Sequence, residues 1–183
     1  AVRVARRRAA PCARGRCVSN TYSGQWFDTF LATIPERTTE DEVAFVARQL
    51  PASAFPKLLD LCCGPARHAC ALAACGYRIV GIDANEAVIQ RARALCPGAE
   101  FRVGDMRALD ALGAPFDAVI NLWHSFGYFD DATNAAIVRR LHGLLRSGGR
   151  AIFDIYNRDH FAARPAEEIA ERAGRRIRTV RSW

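Results

Sequence analysis

Three aspartates stand where short apolar runs end, and each is followed by small or soft residues. The first opens the stretch Asp60-Leu61-Cys62-Cys63-Gly64-Pro65-Ala66-Arg67. Small residues at such a turn let a ligand approach the backbone and meet the free N–H groups of a starting helix. The second, Asp83, ends the next apolar run about one strand–helix–strand unit later. An acid at that spacing can accept hydrogen bonds from ribose hydroxyls. The third lies in Gly104-Asp105-Met106, an acceptor beside a soft apolar side chain, suited to an adenine amino group and ring face. One aspartate at a strand end is often only a turn residue. Three in order, on consecutive runs, form a pattern. A fourth stretch, WHSFGYFDD (123–131), interleaves aromatic side chains with His124 and Ser125, and histidine titrates near pH ~6.5.

The elements that must position these residues alternate. The runs 57–63, 77–83, 99–105, 116–123 and 150–156 read as strands. Helical patterns at 66–75, 85–95 and 131–149 fall between them, with Asn85 as an N-cap and Gly148 as a helix stop. Ahead of the first strand, 22–31 has helical spacing. A second helix follows in TTEDEVAFVARQLP, where Thr39 and Glu42 fit a capping box and Pro51 ends the helix. Five apolar strands separated by helices describe an α/β domain with a parallel sheet. Ligands in such sheets bind at the carboxyl ends of the strands, where the three aspartates stand.

Read together, LLDLCCGPARHA, VGID, FRVGDM, FDAVINLWHSFGYF and LLRSGGRAIFDIYN resemble the class I S-adenosylmethionine-dependent methyltransferases, over about residues 22–156. The resemblance implies a Rossmann-like, mostly parallel sheet with S-adenosylmethionine as cofactor. The family's first loop is usually D-x-G-x-G-x-G; here Cys62, Gly64 and Ala66 occupy the glycine positions. By the resemblance, Asp60, Cys62 and Gly64 line the methionine end of the cofactor and Asp83 holds the ribose. Asp105 receives the adenine amino group with Met106 against the ring, and Asn121 and Leu122 flank the sulfonium. Arg67 is placed to pair with the cofactor carboxylate, or else is a surface arginine of its helix. A nicotinamide-dependent oxidoreductase shares the acid after the second strand. Its G-x-G-x-x-G fingerprint, however, would put Arg67 where close packing demands a small residue.

Methyl transfer from a sulfonium is an in-line displacement, so the protein must chiefly align donor and acceptor and exclude water. The acceptor site falls in the loop after the fourth strand. Trp123, Phe126 and Tyr128 offer walls there, Ser125 a polar handle and His124 a general base. Tyr22, on the first helix, is placed as a lid residue. The expected acceptor is a small molecule with a nitrogen or oxygen nucleophile. The other expectation is a catalytically impaired remnant that binds cofactor weakly or serves as an interaction module.

The chain has 183 residues and a formal net charge of +7. Residues 1–17 carry +6 and residues 171–183 carry +4, so the body between them carries −3. A nucleic-acid reader would show a basic stripe across its folded surface, and the body shows none. No apolar run approaches the ~18 residues of a membrane span. Seven cysteines without C-x-x-C spacing indicate thiols rather than a zinc site or a disulfide framework, and a cytoplasmic setting. The expected organisation is an Arg-rich leader over 1–19, a cofactor domain over 20–160 and a lid or hairpin segment over 161–183. The family's usual seven strands predict two more than the five found, so the sequence reads as C-terminally truncated. RRIRTVRSW (175–183) reads as one hairpin strand whose partner is absent.

Overall fold

The computed structural model describes residues 24–180 except 32, 110, 111, 114, 166 and 173. Tyr22 and the leader lie outside the described residues. Two helices, α1 (Gly24–Leu31) and α2 (Glu36–Gln49), precede the alternation β1 (Lys57–Leu61), α3 (Arg67–Ala74), β2 (Arg78–Asp83), α4 (Glu86–Leu95), β3 (Glu100–Val103) and β4 (Phe116–Asn121). Helix α5 (Asp131–Leu144), β5 (Leu145–Phe153), the short α6 (Arg158–Ala162), β6 (Glu167–Arg172) and β7 (Arg175–Val180) follow. The first five strands form one parallel sheet in the order β3-β2-β1-β4-β5. This is the Rossmann-like, parallel arrangement that the sequence resemblance implies. The order reverses between β1 and β4, so a crevice opens at their carboxyl ends.

Both sheet faces are covered, which explains the continuous apolar runs. Alternate residues of β1 divide between two cores. Leu58 joins Val46 of α2, Leu50 just after it, Leu72 of α3 and Ile89 of α4. Leu59 and Leu61 join Phe116, Val119, Ile137 and Leu141 on the α5 side. Asn85 caps α4 as expected, its side chain accepting from Val88 N. Gly81 in β2 is required by contact: a Cβ there would stand 2.6 Å from the Phe101 ring and 2.9 Å from Cys63 Sγ.

Three local expectations are corrected. Helix α2 starts behind Pro35, one turn ahead of the expected cap, and no side chain caps it. Thr39 and Glu42 therefore lie inside the helix and bond to Arg67 instead. Helix α5 ends at Leu144 rather than at Gly148, because Leu145 turns extended and pairs with Phe116. Residues 146–149 then leave the register, with Gly148 at φ +76°, and pairing resumes at Arg150 opposite Ala118. The last strand does have a partner. Glu167–Arg172 pairs antiparallel with Arg175–Val180, with Arg178 bonded across to Glu167 at 2.7 and 2.9 Å. These two strands form their own ribbon and do not join the five-stranded sheet. Among the described residues no helix is long and apolar enough to cross a membrane.

Candidate functional site

The loop between β1 and α3 sets the floor of the crevice. Cys62, Gly64 and Ala66 have φ of +63°, +54° and +69°. All three positions that the family resemblance assigns to glycine thus adopt the left-handed backbone that favours glycine, even where a cysteine and an alanine stand. The turn is tied to β2 twice. Cys63 N donates to Ile82 O at 2.9 Å and Gly64 N to Asp83 Oδ2 at 3.1 Å. Asp83 also accepts from Asn85 N at 2.9 Å. A Cβ on Gly64 would meet the Phe27 ring of α1 at 3.3 Å, so α1 lies directly against the turn.

Above this turn lies a cavity of about 250 Å³. Asp60, Cys62, Gly64 and Arg67 line it from the first loop, and Asp83, Asp105 and Met106 from the ends of β2 and β3. Leu122, Trp123, Ser125 and Tyr128 line it from the segment after β4. Of the residues singled out from sequence, the described structure leaves three off the wall. Asn121 is fully buried and donates to Leu61 O at 2.7 Å, locking the ends of β4 and β1 together. Phe126 packs on Phe153 with ring centroids 4.9 Å apart. His124 turns toward β5: its Nδ1 is 3.3 Å from Asp154 Oδ1 and its ring stacks on Tyr156 at 4.0 Å.

Charge within the cavity is uneven. Asp60 is 3% exposed and its Oδ2 has no hydrogen-bond partner. Burial, reinforced by the nearby Asp83 charge, raises its pKa to about 7. Burial also raises Asp83, against the pull of its two backbone donors. Asp105 is held low by Arg107, whose guanidinium and backbone N–H both bond to it. Burial, with the nearby Asp83, Asp60 and Asp105 charges, pushes the Cys62 thiol pKa up.

One functional neighbour escaped the sequence reading. Glu42, assigned there to a cap, reaches from α2 to the cavity wall. Its Oε2 accepts from Arg67 Nη1 at 2.8 Å and His68 Nε2 at 2.7 Å, and its Oε1 from Trp123 Nε1 at 2.8 Å. Burial pushes this carboxyl up, but the His68 and Trp123 hydrogen bonds and the Arg67 charge together outweigh it and bring the pKa to about 2. The Arg67 guanidinium lies over the Trp123 ring at 4.5 Å. Its Nη2 is buried with no partner. Asp154 also escaped notice; it accepts from Trp123 N at 3.0 Å and so fixes the start of the loop after β4. That backbone is unusual, with Trp123 and His124 both at φ +61°. Among the described residues, no group of three or more His, Cys, Asp or Glu side chains is arranged to hold a metal ion.

Comparison with known proteins gives one consistent answer. A family model described as a methyltransferase domain matches residues 58–149. A Geobacillus sp. (strain WCH70) protein that carries a provisional methyltransferase name is 25% identical over 143 residues, or 74% of this chain. The chain spans 58% of that relative's length. The structure of CalS10 with S-adenosylmethionine bound, an amino pentose methyltransferase from Micromonospora echinaspora, matches with a TM-score of 0.67 at 26% identity. That match covers 87% of this chain and 68% of CalS10. The sugar N-methyltransferase KedS8 from Streptoalloteichus shares the fold with a TM-score of 0.67 at 24% identity, over 93% of this chain and 70% of its own.

Proposed function

The chain belongs to the methyltransferase domain family, and on that premise we propose that it transfers the methyl group of S-adenosylmethionine to a nitrogen or oxygen of a small-molecule acceptor. One observation carries the reading. Two side chains that line the cavity, Arg67 and Asp60, each bury one polar atom without a partner, Nη2 and Oδ2, beside a left-handed turn. A free amino acid moiety supplies what both lack: a carboxylate for the arginine and an ammonium for the aspartate. The donor set therefore fits the methionine end of the cofactor.

When bound, S-adenosylmethionine supplies a methyl group already activated on sulfur. The remaining work is alignment and exclusion of water. Asp83, held open by Gly64 N and Asn85 N, presents its carboxylate toward ribose hydroxyls. Met106 and Asp105 frame the adenine end, with Arg107 fixing Asp105. Leu122 and Trp123 close the sulfonium side, and Ser125 and Tyr128 face the acceptor. His124, turned toward Asp154 and stacked on Tyr156 off the cavity wall, is not assigned the acceptor proton. The likeness to an amino pentose methyltransferase supports beginning the acceptor search with amino sugars.

Calorimetric titration with S-adenosylmethionine tests the reading. Binding in the micromolar range is expected, with at least a tenfold loss in Asp83→Ala, since that change removes a charge-assisted acceptor worth ~1.5–3 kcal/mol. No detectable binding by the unaltered chain would favour the impaired remnant. Affinity unchanged in Asp83→Ala would remove the ribose assignment.

A further inference from the structure

We propose that Glu42 is a positioning residue that aims Arg67 at the carboxylate of the cofactor. The inference rests on the assignment of Arg67 to that carboxylate above. Arginine carries a long, flexible stem, and its hydrogen-bonding fork is useful only when its plane is fixed. Here the plane is fixed from three directions. Nη1 donates to Thr39 Oγ1 at 2.6 Å and to Glu42 Oε2 at 2.8 Å, and the flat face rests on the Trp123 ring at 4.5 Å. Nη2 is buried and unpartnered, on a side chain that lines the cavity.

Glu42 organises the other members of this clamp as well. Its second oxygen holds the Trp123 indole, so the ring under Arg67 is fixed by the same carboxylate that fixes Arg67 itself. His68, one residue along α3, donates to the oxygen that Arg67 also uses. Three N–H groups from residues 67, 68 and 123 thus converge on two oxygens of one side chain from another helix. An amide cannot replace it. Glutamine would present an NH₂ to at least one of these donors, leaving a buried clash of like groups. The negative charge of Glu42 also offsets part of the Arg67 charge, which by itself would weaken attraction for a carboxylate. Aiming outweighs that offset, because a misaligned guanidinium forfeits the bond geometry on which a charge-assisted pair depends.

The test compares S-adenosylmethionine with its decarboxylated analogue, which keeps the sulfonium and adenosine but lacks the carboxylate. Both are titrated by calorimetry into the wild-type chain, R67A and E42Q. The wild type is expected to prefer S-adenosylmethionine by about tenfold or more, as a charge-assisted pair implies. R67A should lose that preference. E42Q should lose most of it, weakening S-adenosylmethionine several-fold more than the decarboxylated analogue, which still meets Trp123. A preference retained in E42Q but lost in R67A would overturn the role of Glu42 and leave the Arg67 assignment standing. Equal weakening of both ligands in E42Q would mark a merely structural residue and overturn it too. A wild type without preference, or R67A with it intact, would overturn the Arg67 assignment itself. Should E42Q not fold, E42D keeps the charge and retracts the carboxylate by one methylene; the same loss of preference is expected, and an unchanged preference overturns the proposal.

Discussion

Asp60 stands at the hinge of charge in this cavity, buried at 3% exposure with one oxygen unpartnered. With a pKa of about 7 in the folded protein, against an ordinary 3.8, protonation favours the fold. The stability this contributes is fully present below pH ~4 and is lost as pH rises through about 7. Asp60→Asn should therefore be more stable than the wild type at pH 8, by up to ~4 kcal/mol, with the difference vanishing near pH 4. Urea denaturation at the two pH values measures this, and an equal difference at both would contradict it. The aspartate was legible in the sequence from its place at the end of an apolar run. Glu42 was not. Its donors come from residues 67, 68 and 123, and nothing near position 42 distinguishes a carboxylate that caps its own helix from one that crosses to another.

At the scale of elements, the turn after β1 and the approach of β1, β2 and β3 share one constraint, the space around Gly81. A methyl group there would press on Phe101, which is 4% exposed, and on Cys63, which is 9% exposed. Neither can swing into solvent. Gly81→Ala should cost about 1–3 kcal/mol in chemical denaturation through overpacking, and the strain falls on the turn that carries Gly64. A loss below ~0.5 kcal/mol would show that the strands shift freely. The strands themselves were legible because burial on both faces leaves short, mostly apolar runs such as KLLDL and FDAVIN. Strand β6, the partner of the expected hairpin strand, was hidden for the opposite reason. EEIAER buries little, with Ile169 60% exposed, so neither helical nor strand periodicity of apolar residues marks it. Gly148 misled because a glycine suits a helix stop and a bulge equally; extended pairing of Leu145 with Phe116 decided for the bulge.

For the molecule as a whole, the distribution of charge matters more than its sum. The body that carries the sheet has a formal charge of −3, and Asp60, Asp83 and Asp105 surround the cavity. Arg67 and Arg107 line it as well, so the field is mixed, with no excess of positive charge to hold a polyanion. Adding short duplex DNA to the calorimetric titration should leave the affinity for S-adenosylmethionine unchanged within about twofold. Competition beyond that would place nucleic acid at the cavity mouth and contradict the small-molecule reading.

The paired left-handed residues Trp123 and His124 bear on how this chain tolerates change. At most positions backbone preference and side-chain usefulness select the same residues; here they pull apart. Glycine or asparagine would relax the backbone by ~1–3 kcal/mol at either position, yet would discard the indole on Glu42 or the imidazole beside Asp154. In a saturation library scored separately for folding and for cofactor-dependent turnover, these two positions should rank their substitutions in opposite orders. Stability selection alone would therefore drift toward a more robust but idle protein.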